Sequence, residues 1–318
     1  MDLEPTEPRA CRKYLCWLLG LLALLGVTML VCIHVFREKL PPPPFTGSIS
    51  FDEKAVWLAK RLKEPCDVLA IGSSMTVNNL DSSVFADHHF INASSWGMKI
   101  EQSDYFLDLL LEYWSPKAVV VLTAPIDFEG DYRGKQIFDR EKLKRFFDSG
   151  DLFRTHLEYL SAQYLLGSLS EIQRDRTGRK TYYSLDFDAG GSVPLDLMSE
   201  GFERHEDRWN KPLARQEAIV EANYLGLQSL AQRCQDRGIR FLLVQPPIRE
   251  DIISAKDIKF LTETHWPRLA EICHERSGAF HNFHGTLTMS EDDFGDSTHL
   301  NRSGARKLSL AVASLLTN

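Results

Sequence analysis

The sequence predicts a three-layer α/β/α sandwich built on a five-stranded parallel sheet, preceded by one N-terminal transmembrane helix. Three observations predict it. From about residue 46 onward, short apolar runs alternate with longer amphipathic ones, the pattern of strands joined by crossover helices. The short runs are apolar at consecutive positions, as strands covered on both faces are. Finally, Tyr14 to Phe36 is 23 residues without an Asp, Glu, Lys or Arg. At about 1.5 Å per residue, a helix of that length crosses a hydrocarbon core of about 30 Å.

The 318 residues carry a formal charge of -7, with 43% hydrophobic and 25% charged residues. That is ordinary globular composition, and the absence of a basic stripe excludes nucleic acid as the expected partner. Residues 1–13 form a short tail and 14–36 the anchor. A cleaved signal peptide would end its apolar core sooner, at a small-x-small site; none follows Val31, and in "MLVC" a bulky Val precedes Cys32. The basic bias across the span is slight, with Arg9, Arg12 and Lys13 before it and Arg37 and Lys39 after it. A short inner tail and an outer domain is the simpler arrangement. "PPPPF" within the linker 37–50 reads as a stiff spacer ahead of the domain 51–318. Cys11, Cys16 and Cys32 belong to the anchor region, while Cys66, Cys234 and Cys273 stand alone in apolar elements and read as core residues.

In order, "FDEKAVWLAKRLK" suits an amphipathic helix, with apolar residues at 55, 56, 58, 59 and 62. "DVLAIG" (67–72) and "HFINAS" (89–94) read as buried strands. "EQSDYFLDLLLEYW" is a helix closed by Pro116, and "KAVVVLTAP" (117–125) is the clearest strand. "EAIVEANYLGLQSLAQRCQDRG" is a helix with a Gly stop, feeding the strand "IRFLLVQPP". "WPRLAEICHERSG" feeds the weaker strand "AFHNF", and "GARKLSLAVASLL" closes the chain with apolar positions 305, 308, 312 and 315. The result is a flavodoxin-like sheet, with ligands expected outside the carboxyl ends of its strands. From about 128 to 212 the alternation breaks into a charged helix-like run and a polar, turn-rich stretch. It reads as an insertion over that edge of the sheet: a lid, a substrate groove or a docking surface.

The residues with chemical potential sit at the strand ends. "LAIGSSMTVNN" puts Ser73 and Ser74 directly after the first strand. A following helix would aim its first amides at developing negative charge; a plain capping turn explains serines equally. The second strand ends in "NASSWG", small residues that let a backbone N–H approach a ligand. Near the end, "DSTHLNRSG" offers Asp296 and His299, with Asn301 as a helix cap. The cap explains Asn301 alone. An Asp orienting an imidazole that faces a serine hydroxyl is the arrangement that activates a poor nucleophile.

These blocks, in this order, resemble the SGNH or GDSL-like hydrolase superfamily. Its Gly-Asp-Ser block corresponds to "GSS", with Ser74 as nucleophile and Ser73 in the Asp position. Its Asn-x-Gly-x-x-Gly block corresponds to "NASSWG", with Asn92 kept, Ser94 where the oxyanion glycine sits, and Gly97 kept. Its Asp-x-x-His block is Asp296 and His299. The Gly-x-Asn-Asp block departs: "TAPID" gives Ala124 and Ile126 for Gly and Asn, leaving Asp127. The resemblance covers roughly 66–127 and 239–318. It implies catalytic Ser74, Asp296 and His299, oxyanion donors at Ser74, Ser94 and Gly97, and substrate-facing or supporting places for Ser73, Asn92 and Asp127. It implies no cofactor. Within the superfamily the anchor and "GSS" look most like membrane-tethered acyl-transfer proteins, of the types that D-alanylate teichoic acid or O-acetylate exopolysaccharide. The expected function is therefore an anchored extracytoplasmic esterase or acyltransferase on a bacterial inner membrane, acting on a polysaccharide or glycan beside a multi-span acyltransferase. With the insertion as its selectivity element, removal of 130–210 is expected to spare hydrolysis of small esters and abolish transfer to the natural acceptor.

Some residues admit other readings. His281 and His284, near Asp292 and Asp293, suggest metal, but alternation puts the two His on opposite strand faces and a third ligand is lacking; no metal is expected. "DREKLKR" reads as a solvated helix face. "NAS" at Asn92 and "NRS" at Asn301 match the glycosylation pattern, yet glycans there would block the site, which favours a bacterial envelope. The altered third block leaves an alternative function: a catalytically degenerate domain that binds glycan or scaffolds an envelope polysaccharide complex.

Overall fold

The computed structural model describes residues 8–46, 48–130, 138–161, 186–195 and 216–317. In chain order the elements are α1 (Pro8–Phe36), α2 (Ile49–Ala59), β1 (Val68–Ala70), α3 (Ser74–Asn78), β2 (Phe90–Asn92), α4 (Ile100–Leu110), β3 (Ala118–Leu122), α5 (Arg140–Ser149) and α6 (Leu152–Glu158). They continue with α7 (Glu221–Asp236), β4 (Arg240–Gln245), α8 (Ala255–Phe260), α9 (Trp266–Glu275), β5 (Ala279–Asn282) and α10 (Arg302–Leu316). The chain divides into two compact units, one of residues 1–43 with 149–181 and one of residues 44–148 with 182–318.

The larger unit is the expected three-layer sandwich. Its five strands are all parallel, in the order β2-β1-β3-β4-β5. Leu69 stands between Ile91 and Val119, Val120 beside Leu242 and Val244 beside His281. Every residue of β3 is buried, because helices cover both faces. Ala305, Leu308 and Val312 of α10 join Val68, Val120, Leu122 and Val244 in one core cluster, so the i, i+3, i+7 stripe is its sheet-facing side. α4 and α7 pack together and are tied at their surface by Arg233 and Asp104, 2.8 Å apart. The chain leaves β1 for β2 on one side and returns to β3 on the other. The carboxyl ends of β1 and β3 thus flank a crevice at the switch of strand order, where ligands of such sheets bind.

Some boundaries differ from expectation. α7 begins at Glu221, not 217: Val220 is extended and donates to Phe128 O at 3.0 Å, and Ile219 bridges to Glu129. β-branched residues in a position to pair are drawn out of the helix. Residues 255–265, without a sequence assignment, form α8 and a π-turn at Leu261–His265. Pro267 follows in the first turn of α9; its missing N–H and its ring exclude the regular bond there, and the turn widens. Cys66, Cys234 and Cys273 are buried free thiols, each pushed up to about 12 by burial. Phe45, expected in the spacer, is buried with its ring 5.2 Å from Phe146.

In the smaller unit, Arg12–Phe36 of α1 is long and apolar enough to cross a membrane. Its side chains face outward along most of its length; Trp17 is 81% exposed and Leu24 62%. At its end α6 packs on it: His34 meets Phe153 edge to face at 5.3 Å, and His156 Nε2 lies 3.1 Å from Arg37 O. The charged run read as helix-like therefore forms two helices, α5 and α6. Apart from 128–130, 138–161 and 186–195, the 128–212 stretch lies outside the described residues.

Candidate active site

β1 ends in a tight turn into α3. Gly72 has φ +146°, and a Cβ there would lie 2.5 Å from Thr76 Oγ1, so the turn requires glycine. Ser73 is the N-cap of α3, its Oγ accepting the Met75 N–H at 3.1 Å. A five-residue helix is unstable alone. Thr76 holds this one to the sheet, its hydroxyl donating to Leu122 O (3.1 Å) and accepting from Leu122 N (3.0 Å). Ser74, the first helical residue, is thereby fixed in the crevice and remains partly exposed.

Asp296 to His299 is a compact loop before α10. Asp296 Oδ1 accepts the N–H groups of Thr298 (2.8 Å) and His299 (2.7 Å), while Oδ2 accepts from His299 Nδ1 at 2.8 Å. His299 Nε2 stands 2.8 Å from Ser74 Oγ. An ionised carboxylate can only accept, so the imidazole proton is on Nδ1. Nε2 is then the acceptor for the Ser74 hydroxyl. Burial disfavours the Asp296 charge, but His299 and two backbone N–H groups outweigh it and hold the carboxyl down to about 2. The loop is closed by Gly295 N–H to His299 O (2.8 Å), and Asn301 caps α10 through Ser303 N and Gly304 N.

Beside Ser74 lies a second pair. The Ser73 hydroxyl and the Ala124 N–H (2.9 Å) both reach buried Asp127. Burial raises the Asp127 pKa, opposed by those two hydrogen bonds. Ile126 packs against the core and has no side-chain donor.

The β2 end faces inward. Asn92 is fully buried; its Nδ2 donates to Thr76 O (3.1 Å) and Ser192 Oγ (2.9 Å), and its Oδ1 accepts the Ser94 N–H (3.1 Å). Ser94 is fully buried, so its amide is engaged with Asn92; its Oγ has no partner among the described residues. Gly97 is exposed, with φ +72° and open space where a Cβ would stand. The structure thus joins Ser74, His299 and Asp296 in one hydrogen-bonded chain, Ser73 and Asp127 in a second, and Asn92 and Ser94 in a third. Thr76, Lys54 and Ser192, which support these groups, are not among the residues that the sequence motifs mark. The signal for Ser192 is the doubled glycine in "DAGGS"; a buried lysine in an amphipathic pattern gives none.

His281 lies in β5, and His284 Nδ1 accepts from Ile248 N at 3.4 Å with its ring 5.6 Å from Trp266. Among the described residues no three His, Cys, Asp or Glu are grouped to hold a metal ion. The Asn92 and Asn301 side chains, read as glycosylation matches, are buried and hydrogen-bonded.

No protein-family model matches the chain, and no curated protein is significantly similar to it. Among solved structures it is similar to a Bacteroides fragilis protein provisionally described as an acylhydrolase. The identity is 12% and the TM-score 0.43, over 83% of this chain and 95% of that one.

Proposed function

We propose that the chain is an SGNH-type serine esterase or O-acyltransferase, held to the membrane by α1, that acts outside the cytoplasm on acyl esters of an envelope polysaccharide or related glycan. The observation that carries this reading is the continuous chain from Ser74 Oγ through His299 to Asp296, with 2.8 Å at both links. The order of blocks in the sequence and the crevice between β1 and β3 support it.

In this reading Ser74 Oγ attacks the acyl carbonyl carbon while its proton passes to His299 Nε2. The carbonyl oxygen becomes an oxyanion. One amide is suited to it by its place, Ser74 N–H at the start of α3, where no intrahelical acceptor exists; the family resemblance assigns a second to Gly97 N–H. Ser94 N–H would first have to leave Asn92 Oδ1. Collapse of the intermediate breaks the bond to the leaving alkoxide, which takes the proton from Nε2 and departs as the alcohol. An acyl group remains esterified to Ser74. A second hydroxyl, of water or of a sugar, gives its proton to Nε2 and attacks the acyl-enzyme, and Ser74 is regenerated. Asp296 stays ionised throughout and offsets the imidazolium charge. Water as acceptor gives hydrolysis; an ordered sugar hydroxyl gives transfer. The acyl group would be delivered by a multi-span acyltransferase next to α1.

The test is turnover of acetyl, alanyl and longer acyl esters by the purified full chain in detergent or nanodiscs. Hydrolysis of at least one ester, lost in Ser74→Ala, is expected. Folded protein that turns over none and forms no acyl adduct contradicts the reading and leaves the glycan-binding scaffold.

A further inference from the structure

Residues 186–195, "DFDAGGSVPL", fall in the stretch read from sequence as an insertion over the site. They instead run along the sheet edge and bond to it through their main chain. Gly190 O accepts the Asn92 N–H at 2.7 Å. Val193 N–H donates to Val77 O at 2.8 Å, in the helix that begins with Ser74. Leu195 bridges to Asn301, and Leu195 O accepts the Arg302 N–H at 2.8 Å, just beyond His299. One short segment therefore touches all three parts of the chain that carry the site.

Its fit is specific. Asp188 shapes the turn, Oδ1 accepting from Gly190 N (3.1 Å) and Ser192 N (2.8 Å), and Oδ2 accepting from Ser82 N (3.1 Å). Gly191 has φ +91°, and a Cβ there would lie 2.8 Å from both Asn92 O and the Trp57 ring. No other residue fits that approach. Lys54, fully buried, donates from Nζ to Asn92 O (2.9 Å) and to Gly191 O, pinning the segment to the end of β2. The Phe187 ring, its centroid 4.1 Å from Nζ, closes over it. Burial pushes the Lys54 pKa well below its ordinary value, opposed by the nearby Asp188 charge, and the two carbonyls supply the acceptors that its amine would otherwise lack. From the Ser192 hydroxyl the connection continues through Asn92 Nδ2 to Thr76 O, two residues past Ser74.

We propose that residues 186–195 are a positioning strap, in which Gly191 and Ser192 set the placement of Ser74 against His299. A passive surface loop would lack bonds to all three site segments, and its glycines would tolerate a Cβ. The inference rests on the proposed function for its kinetic consequence alone; the mechanical one stands apart from it.

The experiment compares full-length wild type with Gly191→Ala and with the milder Ser192→Ala, which removes only one oxygen. Amide hydrogen exchange is measured by segment, and kcat and KM on the preferred ester. In the variants, exchange is expected to rise about tenfold in residues 75–79 and 299–302 while β3 and β4 keep their wild-type rates. kcat is expected to fall on the order of 10- to 100-fold with KM little changed, as for a reacting pair moved slightly out of place. Faster exchange confined to 186–195 in either folded variant overturns the strap. A wild type that turns over no ester defeats the catalytic reading, and the exchange pattern then still decides the strap. Should Gly191→Ala fail to fold, Ser192→Ala decides alone.

Discussion

Asn79 Oδ1 accepts the Leu300 N–H at 2.8 Å, so the residue that ends the Ser74 helix holds the residue next to His299. Both Asn79 and Leu300 are fully buried. Asn79→Ala leaves that N–H without a partner away from water. The expected cost is about 1–3 kcal/mol in urea unfolding, with a lower kcat and an unchanged KM on any ester the wild type hydrolyses. A variant as stable and as fast as wild type contradicts the tie.

Asp296→Asn tests the tautomer. Oδ1 accepts two backbone N–H groups, so the substituted amide keeps its oxygen there and turns its NH2 toward His299 Nδ1. The imidazole proton is then forced to Nε2, and the base facing Ser74 is lost. kcat is expected to fall on the order of 10²- to 10⁴-fold with the circular dichroism spectrum unchanged. A loss below tenfold argues against an orienting role.

Stability should depend on pH through His265. Burial, with the Arg268 charge, takes it from 6.5 down to about 4, and the Tyr224 hydroxyl lies 2.6 Å from its Nδ1. Between those values the unfolded chain binds a proton that the folded chain refuses. Stability is therefore full above about pH 6.5 and declines as pH falls toward 4, by roughly 3 kcal/mol. His265→Gln is expected to flatten this part of the unfolding midpoint against pH; an unchanged slope assigns it elsewhere.

Cys66, Cys234 and Cys273, buried with thiols pushed up to about 12, should resist a thiol reagent at pH 8 in the native protein. They should react once denaturant is added. Rapid native labelling of any of them contradicts its placement.

What could be read from sequence was what short-range pattern encodes. Within "KAVVVLTAP", the run Ala118–Leu122 is a strand because it is apolar at every position, and β3 is buried throughout. The α10 stripe follows the same logic, as does the cap at Asn301. The Asp296 and His299 pairing is local, three residues apart in one loop. Other features depend on long-range contact and leave no periodic trace. Lys54 appears in the sequence as one more charge on an amphipathic helix, yet it is fully buried under the strap. Ser94 occupies a familiar position, but its amide is engaged with Asn92, whose own orientation depends on Ser192, far along the chain. The stretch 186–195 has the composition of a loop, and only its hydrogen bonds distinguish it from one. Removal of 130–210 is therefore expected to abolish small-ester hydrolysis as well, contrary to the expectation from sequence.

The central claim is that the Ser74 hydroxyl is made nucleophilic by His299. A fluorophosphonate probe, which forms a covalent bond with an activated serine, tests it most directly when the modified residue is mapped by mass spectrometry. The account predicts one adduct, on Ser74, absent in Ser74→Ala and strongly reduced in His299→Ala with both variants folded. Folded wild type that stays unlabelled, or labelling that persists at full rate in His299→Ala, contradicts it.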